Sequence, residues 1–525
     1  METTDERPAA AGRPGTSGSH RAPEVGPRWL LYVVCFCTGA ATLVIEVSGN
    51  RLLAPLFGNS LYTWTALIGV VLVAMSVGDL VGGLLVDRAP RTSILGYLLL
   101  AAAAWTLLVP AIHRMLPATT AAAGVISGPL IASLALFAIP ACLLASASPF
   151  IVRLISRITE DHEIGRSAGV VGMLSTLGSF VGTFVTGFWL IPQFGVRAIF
   201  LMTGLVVAAL GAAVLATGRG SGVRRAVALL AVAGIAAASL SVTPAPVSGL
   251  LHEQQTFYHD VRVEEWTTEY GERVRGLKLD TTLEGGQYVE TGNVFMPCNL
   301  YWRLAEVYGP RLERALFLGG GGFGMPEDFS RRHPHAAADV VELDPAVIDV
   351  GRRFFRLGEF SAVRPIAADA RRFLVGSDAT YDMIFCDAYH GLRNIPAHLV
   401  TREFFALVKA RLAEDGVFLA NVISPVTGDR ADVFRSLLRT IRTEFPHTEA
   451  YSVANLPLDG ANNVIIMAAN RPFSRRTDTP PDDVTAFLLS TRIDPATYEP
   501  LGGVVFTDDH NPSEYFVARQ VGSVD

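Results

Sequence analysis

Lysine is missing from the first 277 residues of this 525-residue chain; the first is Lys278. Charge of either sign is scarce in the same region. Between Trp29 and Ala245 only 17 of 217 residues are charged, against 18% for the whole chain. So apolar a stretch excludes an ordinary soluble domain. The net charge of −6 and the lack of any basic cluster interleaved with aromatics exclude a nucleic-acid partner. Cysteine is also sparse. Cys35, Cys37, Cys142, Cys298 and Cys386 have no second pair or histidine cluster beside them, so no metal site is expected and the thiols read as structural. The apolar run after residue 28 lacks a small-residue cleavage signature and is not read as a cleaved leader.

What is present divides into two unlike halves. Residues 1–28 are rich in Pro, Gly, Ala, Ser and Arg and read as a disordered tail. Residues 29–245 read as a polytopic α-helical membrane bundle. Seven runs are near the 20 apolar residues that a bilayer requires: 29–49, 61–86, 92–112, 128–152, 167–191, 197–217 and 225–243. The last is the weakest, and 115–152 is long enough to hide a hairpin. Glycines recur in the second and fifth runs, which permits close helix packing. Arginine clusters in the tail and in the loops after the second, fourth and sixth runs. The alternate loops hold only Arg51, Arg114 and Arg197. The positive-inside rule therefore puts the N-terminus in the cytoplasm. The segment Gly78–Arg91, GDLVGGLLVDRAPR, also resembles the cytoplasmic loop motif of major facilitator transporters. Seven crossings would leave the second half outside, and an even number would leave it in the cytoplasm. We expect a multi-pass protein of the cell membrane with a cytoplasmic globular domain, reached by an even number of crossings. Glu46 and Asp79 lie within crossings and are expected to pair with Arg51 or Arg88 or to face a polar interface.

The second half has ordinary soluble composition. Residues 250–300 alternate as short strands of a small antiparallel sheet, and 301–519 alternate strand and helix as a Rossmann-like, doubly wound domain. Its centre is RALFLGGGGFGMP: a strand over 315–318, then a glycine turn, then a helix. Gly319, Gly321, Gly322 and Gly324 let the backbone approach a ligand closely. Three acids end the next three strands: Glu342, Asp369 and Asp387. Ligands of such sheets bind beyond the carboxyl ends of the strands. Glu342 suits ribose hydroxyls. Asp369, with Ala370 beside it, suits an adenine amino group, and Asp387 would face the reacting end. Each of the latter two acids could instead cap a helix.

These segments, together with VVELDPAVIDVGRRFF, ADARRFL, YDMIFCDAYHG, IPAHLVTREFFALVKARLAEDGVFLANV and FTDDHNPSEY, resemble the spermidine synthase (polyamine aminopropyltransferase) family. With the apolar half included, the chain resembles membrane-fused spermidine synthase-like proteins. The resemblance implies a methyltransferase-type domain binding S-adenosylmethionine or its decarboxylated form as a substrate. It also implies an aminopropyl transfer to an amine, with Asp387 catalytic and Tyr258, Gln287 and Tyr389 on the substrate side. Two departures stand out. Where the family's GGGDG loop has Asp, this chain has Gly322 or Phe323. Where a second Asp follows the fourth strand, it has His390, a candidate general base. Asp508 and Asp509 are candidates to refill the site. The lost acids leave two alternatives open: a methyltransferase acting on a lipophilic substrate, and a transporter or sensor with a non-catalytic nucleotide domain. The spacing of Gly319, Gly321 and Gly324 also fits a dinucleotide dehydrogenase, in which Asp369 would have no role. The expected partners are the bilayer and a small amine or lipophilic substrate, and a homodimer is compatible with the sequence.

Overall fold

The computed structural model describes residues 27–521 except 59, 117–123, 158–163, 218–221, 242–247, 310, 390–394, 454–455 and 477–479. The tail, 1–28, lies almost wholly outside the described residues.

The apolar half folds as long helices: α1 Arg28–Phe57, α2 Leu61–Arg88, α3 Thr92–His113, α4 Gly124–Ala145, α5 Ala147–Ser156, α6 Ile164–Val185, α7 Val196–Thr217 and α8 Gly222–Ser241. α4 and α5 are one rod broken at Ser146. α6 continues through a π turn at Thr186–Leu190. At ten residues, α5 rises about 15 Å, too little to cross alone. The stretch over 124–156 therefore has the length of one span, not two, and among the described residues seven segments are long and apolar enough to span. Close approach explains the glycine spacing. A Cβ at Gly178 of α6 would lie 2.0 Å from the Phe36 carbonyl of α1, so only glycine fits.

A four-stranded antiparallel sheet follows: β1 Leu250–Gln255, β2 Asp260–Thr267, β3 Arg273–Leu279 and β4 Thr282–Tyr288. The large sheet contains β5 Arg314–Leu318, β6 Ala337–Glu342, β7 Val363–Ala367, β8 Tyr381–Cys386, β9 Leu412–Ser424, β10 His447–Ser452 and β11 Asn462–Ala469. Its order is β10-β11-β9-β8-β5-β6-β7, with β5 to β9 parallel and β11 antiparallel to both of its neighbours, β9 and β10. This is the methyltransferase-type arrangement. The helices that carry the argument are α9 Gly324–Arg332, α10 Pro345–Phe354, α11 Ala370–Gly376, α12 Arg402–Arg411, α13 Asp432–Ile441 and α14 Ser513–Val521. Apolar side chains from both sheet faces form two clusters, one with Phe317, Val340 and Phe385 and the other with Leu316, Ile384 and Phe418. Chain order reverses between β5 and β8, which opens a crevice at their carboxyl ends.

The globular half docks on one end of the bundle. Arg51 near the end of α1 donates to the carbonyls of Thr256 and Tyr258. The amide of Val196, at the start of α7, donates to Gln255. The amide of Leu61, at the start of α2, donates to Glu514 of α14. The arginine-bearing ends, with Arg88 closing α2 and Arg153 in α5, belong to the opposite face. This differs from the expectation that the globular domain shares a face with the arginine-rich loops. Whether α8 crosses does not alter it, because the docking bonds are made by α1, α2 and α7.

Candidate functional site

The crevice is built where β5 meets β8. Asp387 donates its amide to the Leu318 carbonyl, extending the parallel ladder by one residue. Gly319 follows at once with φ 105°, and a Cβ there would sit 2.2 Å from the Asp387 carbonyl. Only glycine satisfies both demands. The turn then places the Gly320 amide 2.9 Å from Glu342 Oε2, while the Asp344 amide lies 3.0 Å from Glu342 Oε1. Two backbone donors thus hold the last side chain of β6 over the glycine turn. Burial raises the pKa of this carboxyl, and the two N–H groups oppose the rise.

Phe323 occupies the left-handed region at φ 57° and is fully buried. Its ring packs on Gly320 and Gly351. Of the two positions where the resemblance places the family's loop carboxylate, Phe323 is therefore core, whereas Gly322 lines the cavity and carries no side chain.

The small sheet closes the crevice. Gly285 of β4 packs directly on Gly322. Leu277 pairs with Gly285 and Lys278 pairs with Leu283, so Glu284 is the extra residue of a β-bulge. A bulge re-aims its side chain, and Glu284 lines the cavity. Burial is the main reason its pKa is pushed up to about 7, with the charge of Asp387 adding to it. Asp387 is itself raised to about 6 by burial, against a hydrogen bond from Asn421. That bond is 2.9 Å, and Asn463 donates in turn to the Asn421 side chain at 3.1 Å. Asp387 is thus a half-buried carboxylate held by a fixed amide, the setting of a group tuned toward neutral pH. His259, from the loop between β1 and β2, and Asn299 complete this side.

Of the residues chosen from sequence, Gly319, Gly321, Gly322, Gly324, Glu342, Ala370, Asp387 and Tyr389 line the cavity. The Tyr389 hydroxyl is already engaged, donating to the Asn421 carbonyl and accepting from the Ile423 amide. Others are placed elsewhere. Asp369 caps α11, accepting from the Arg372 amide at 2.9 Å and facing His398 Nε2 at 2.8 Å; its neighbours Ala368 and Ala370 form the wall instead. Gln287 is buried and donates to Glu327 at 2.6 Å. Tyr258 gives its carbonyl to Arg51, and its ring meets Phe257 edge-on. Asp508 forms a two-point pair with Arg371 and accepts from Thr401, so it ties the C-terminal segment to α11. Asp509 is exposed and outside the cavity wall. His390 lies outside the described residues. Among those residues no group of three or more His, Cys, Asp or Glu could hold a metal ion.

Sequence reasoning missed Glu284, His259 and Asn299. A strand read at period two offers no signal for Glu284, because the bulge overrides that period.

Comparison with known proteins agrees with this architecture. Residues 303–476 match the spermine/spermidine synthase domain. A polyamine aminopropyltransferase of Vibrio vulnificus is 29% identical over 230 residues, covering 42% of this chain and 72% of its own. Polyamine aminopropyltransferase 2 of Streptomyces coelicolor is 27% identical over 525 aligned residues, covering 93% of this chain and 91% of its own. A probable spermidine synthase from Corynebacterium glutamicum aligns with a TM-score of 0.37 and 20% identity, over 50% of this chain and 90% of that one. The globular half is thus a transferase domain of the spermidine synthase type. Over most of its length the chain is similar to polyamine aminopropyltransferases, and the matched domain follows seven helices long and apolar enough to span a membrane.

Proposed function

We propose that this protein is a membrane-anchored aminopropyltransferase using decarboxylated S-adenosylmethionine as donor. The observation that carries the reading is the pair of half-buried carboxylates, Glu284 and Asp387, lining the glycine-turn cavity together with Glu342. An amine acceptor and an aminopropyl arm are both cationic at neutral pH, and a partly dry site needs carboxylates to hold them. Glu284 supplies the charge that the glycine turn lacks at Phe323. Glu342 and the glycine amides suit the adenosyl end, with Ala368 and Ala370 as the wall on which the base rests.

The reaction is one displacement. The neutral amine forms a C–N bond to the carbon beside the sulfonium, the C–S bond breaks, and its electron pair leaves with methylthioadenosine. The new ammonium then loses a proton. In this reading Asp387 accepts it and orients the amine beforehand.

Methyl transfer from S-adenosylmethionine onto a lipophilic acceptor is favoured by one feature, the apolar residue at position 323. The paired acids oppose it, because the intact donor carries a carboxylate of its own. Titration calorimetry with the two sulfonium compounds separates the readings. Tighter binding of the decarboxylated form supports aminopropyl transfer, and preference for S-adenosylmethionine overturns it.

A further inference from the structure

The bond between the two halves leads directly into the site. α1 has 30 residues and rises about 45 Å, so its last turns emerge from a hydrocarbon layer of about 30 Å. Arg51 lies on these turns. Its guanidinium donates to the Thr256 carbonyl at 2.6 Å and to the Tyr258 carbonyl at 2.8 Å. The carboxylates of Asp280, Asp260 and Asp344 all act on its charge.

The loop it grips is itself tightly wound. The Thr256 hydroxyl accepts from the amides of Tyr258 and His259 and donates to Asp344 Oδ2. Asp344 caps α10 through Oδ1 and gives its own amide to Glu342. Glu342 reaches back to the Gly320 amide. The next residue of the loop, His259, lines the cavity with its ring 3.4 Å from Asp280. A continuous set of hydrogen bonds thus runs from a membrane helix to the carboxylate over the glycine turn.

We propose that Arg51 is a positioning residue for the transferase site. By clamping the 256–259 loop it fixes Thr256 against Asp344 and so sets Glu342 and His259 in the cavity wall. The apolar bundle is then a working part of the site as well as an anchor. A helix packed in the bilayer supplies one rigid support of the adenosyl-side wall. The ligand assignment rests on the aminopropyltransferase reading; the mechanical link does not.

The test uses the full-length protein in lipid nanodiscs with two variants. Arg51→Ala removes the clamp. Gln255→Ala removes the neighbouring bond to Val196, which joins the halves without entering the relay. Hydrogen exchange is read at 256–260 and at the glycine turn, 319–324, with β8 and β9 as internal references. Arg51→Ala should speed exchange at both segments by about tenfold and leave β8 and β9 unchanged. Gln255→Ala should leave the glycine turn as in the parent. Methylthioadenosine affinity, measured in parallel, should fall by about tenfold in Arg51→Ala. Arg51→Lys should recover part of the loss. Unchanged exchange at the glycine turn in Arg51→Ala overturns the proposal. So does an equal effect from Gln255→Ala, which would show general loosening of the junction. If the parent binds no methylthioadenosine, the ligand assignment fails, while the exchange data still decide the mechanical link.

Discussion

Replacing Glu284 by Gln keeps the size of the side chain and removes its charge. Burial and the nearby Asp387 lift the Glu284 carboxyl from an ordinary 4.5 to about 7. The folded protein therefore holds a proton on Glu284 through that window while the unfolded chain has released it. Folding stability from this group is full below pH 4.5 and falls as the pH rises toward 7. A rise of that size corresponds to about 3 kcal/mol at 1.36 kcal/mol per pH unit, and part of the side chain faces water, so about 1–3 kcal/mol is expected. Asp387, Glu327 and other groups also titrate, so the informative quantity is a difference between proteins. Thermal unfolding of parent and variant at pH 5 and pH 8 gives it. The variant should lose less stability between the two conditions than the parent, by about 1–3 kcal/mol. A bound diamine should restore the parent at pH 8 and act weakly on the variant, because a charge-assisted bond of about 1.5–3 kcal/mol is gone. Equal pH dependence in the two proteins would refute the claim that Glu284 is a strained, site-facing carboxylate.

Asp387→Asn should keep the hydrogen bond to Asn421 and lose the proton acceptor. Turnover is expected to fall by about 10²–10⁴ with donor binding within a few-fold, as single-turnover measurements would show. In the parent, kcat/KM should rise with pH to a limb near 6, following the raised Asp387 carboxyl. Phe323→Asp, which puts an acid at one of the two loop positions open to it, should destabilise by about 3–5 kcal/mol in denaturant titrations, since it empties a fully buried ring site. Reporter fusions at the two termini should report opposite sides of the membrane, because the domain docks on the end of the bundle away from the N-terminus. The arginine distribution assigns the cytoplasm to the N-terminal side. Reporters on the same side would contradict the docking geometry.

The seven apolar helices were legible because bilayer thickness leaves little choice of length, and every expected run begins or ends within a few residues of the observed helix. The Rossmann-like half was legible because short apolar strands alternate with capped helices. Asp344 and Asp369, for example, each accept from an amide of the helix they begin. That same capping is why Asp369 stands outside the cavity wall. A strand-end acid beside a helix can serve the crevice or the helix, and here the helix and His398 hold it. Asp508 was drawn from the cavity by Arg371, more than a hundred residues away in the chain, a pairing that no local pattern encodes. Glu284 was hidden by a bulge. Arg51 looked like a partner for a membrane carboxylate and instead reaches two backbone carbonyls of the other half.

The central claim is an aminopropyl transfer at the crevice between Glu284, Asp387 and Glu342. Purified full-length protein incubated with decarboxylated S-adenosylmethionine and a panel of amines should yield methylthioadenosine and an aminopropylated amine in equal amounts by mass spectrometry. Glu284→Gln should depress both products together. A methylated product formed from S-adenosylmethionine, or no methylthioadenosine with any amine, would contradict the account.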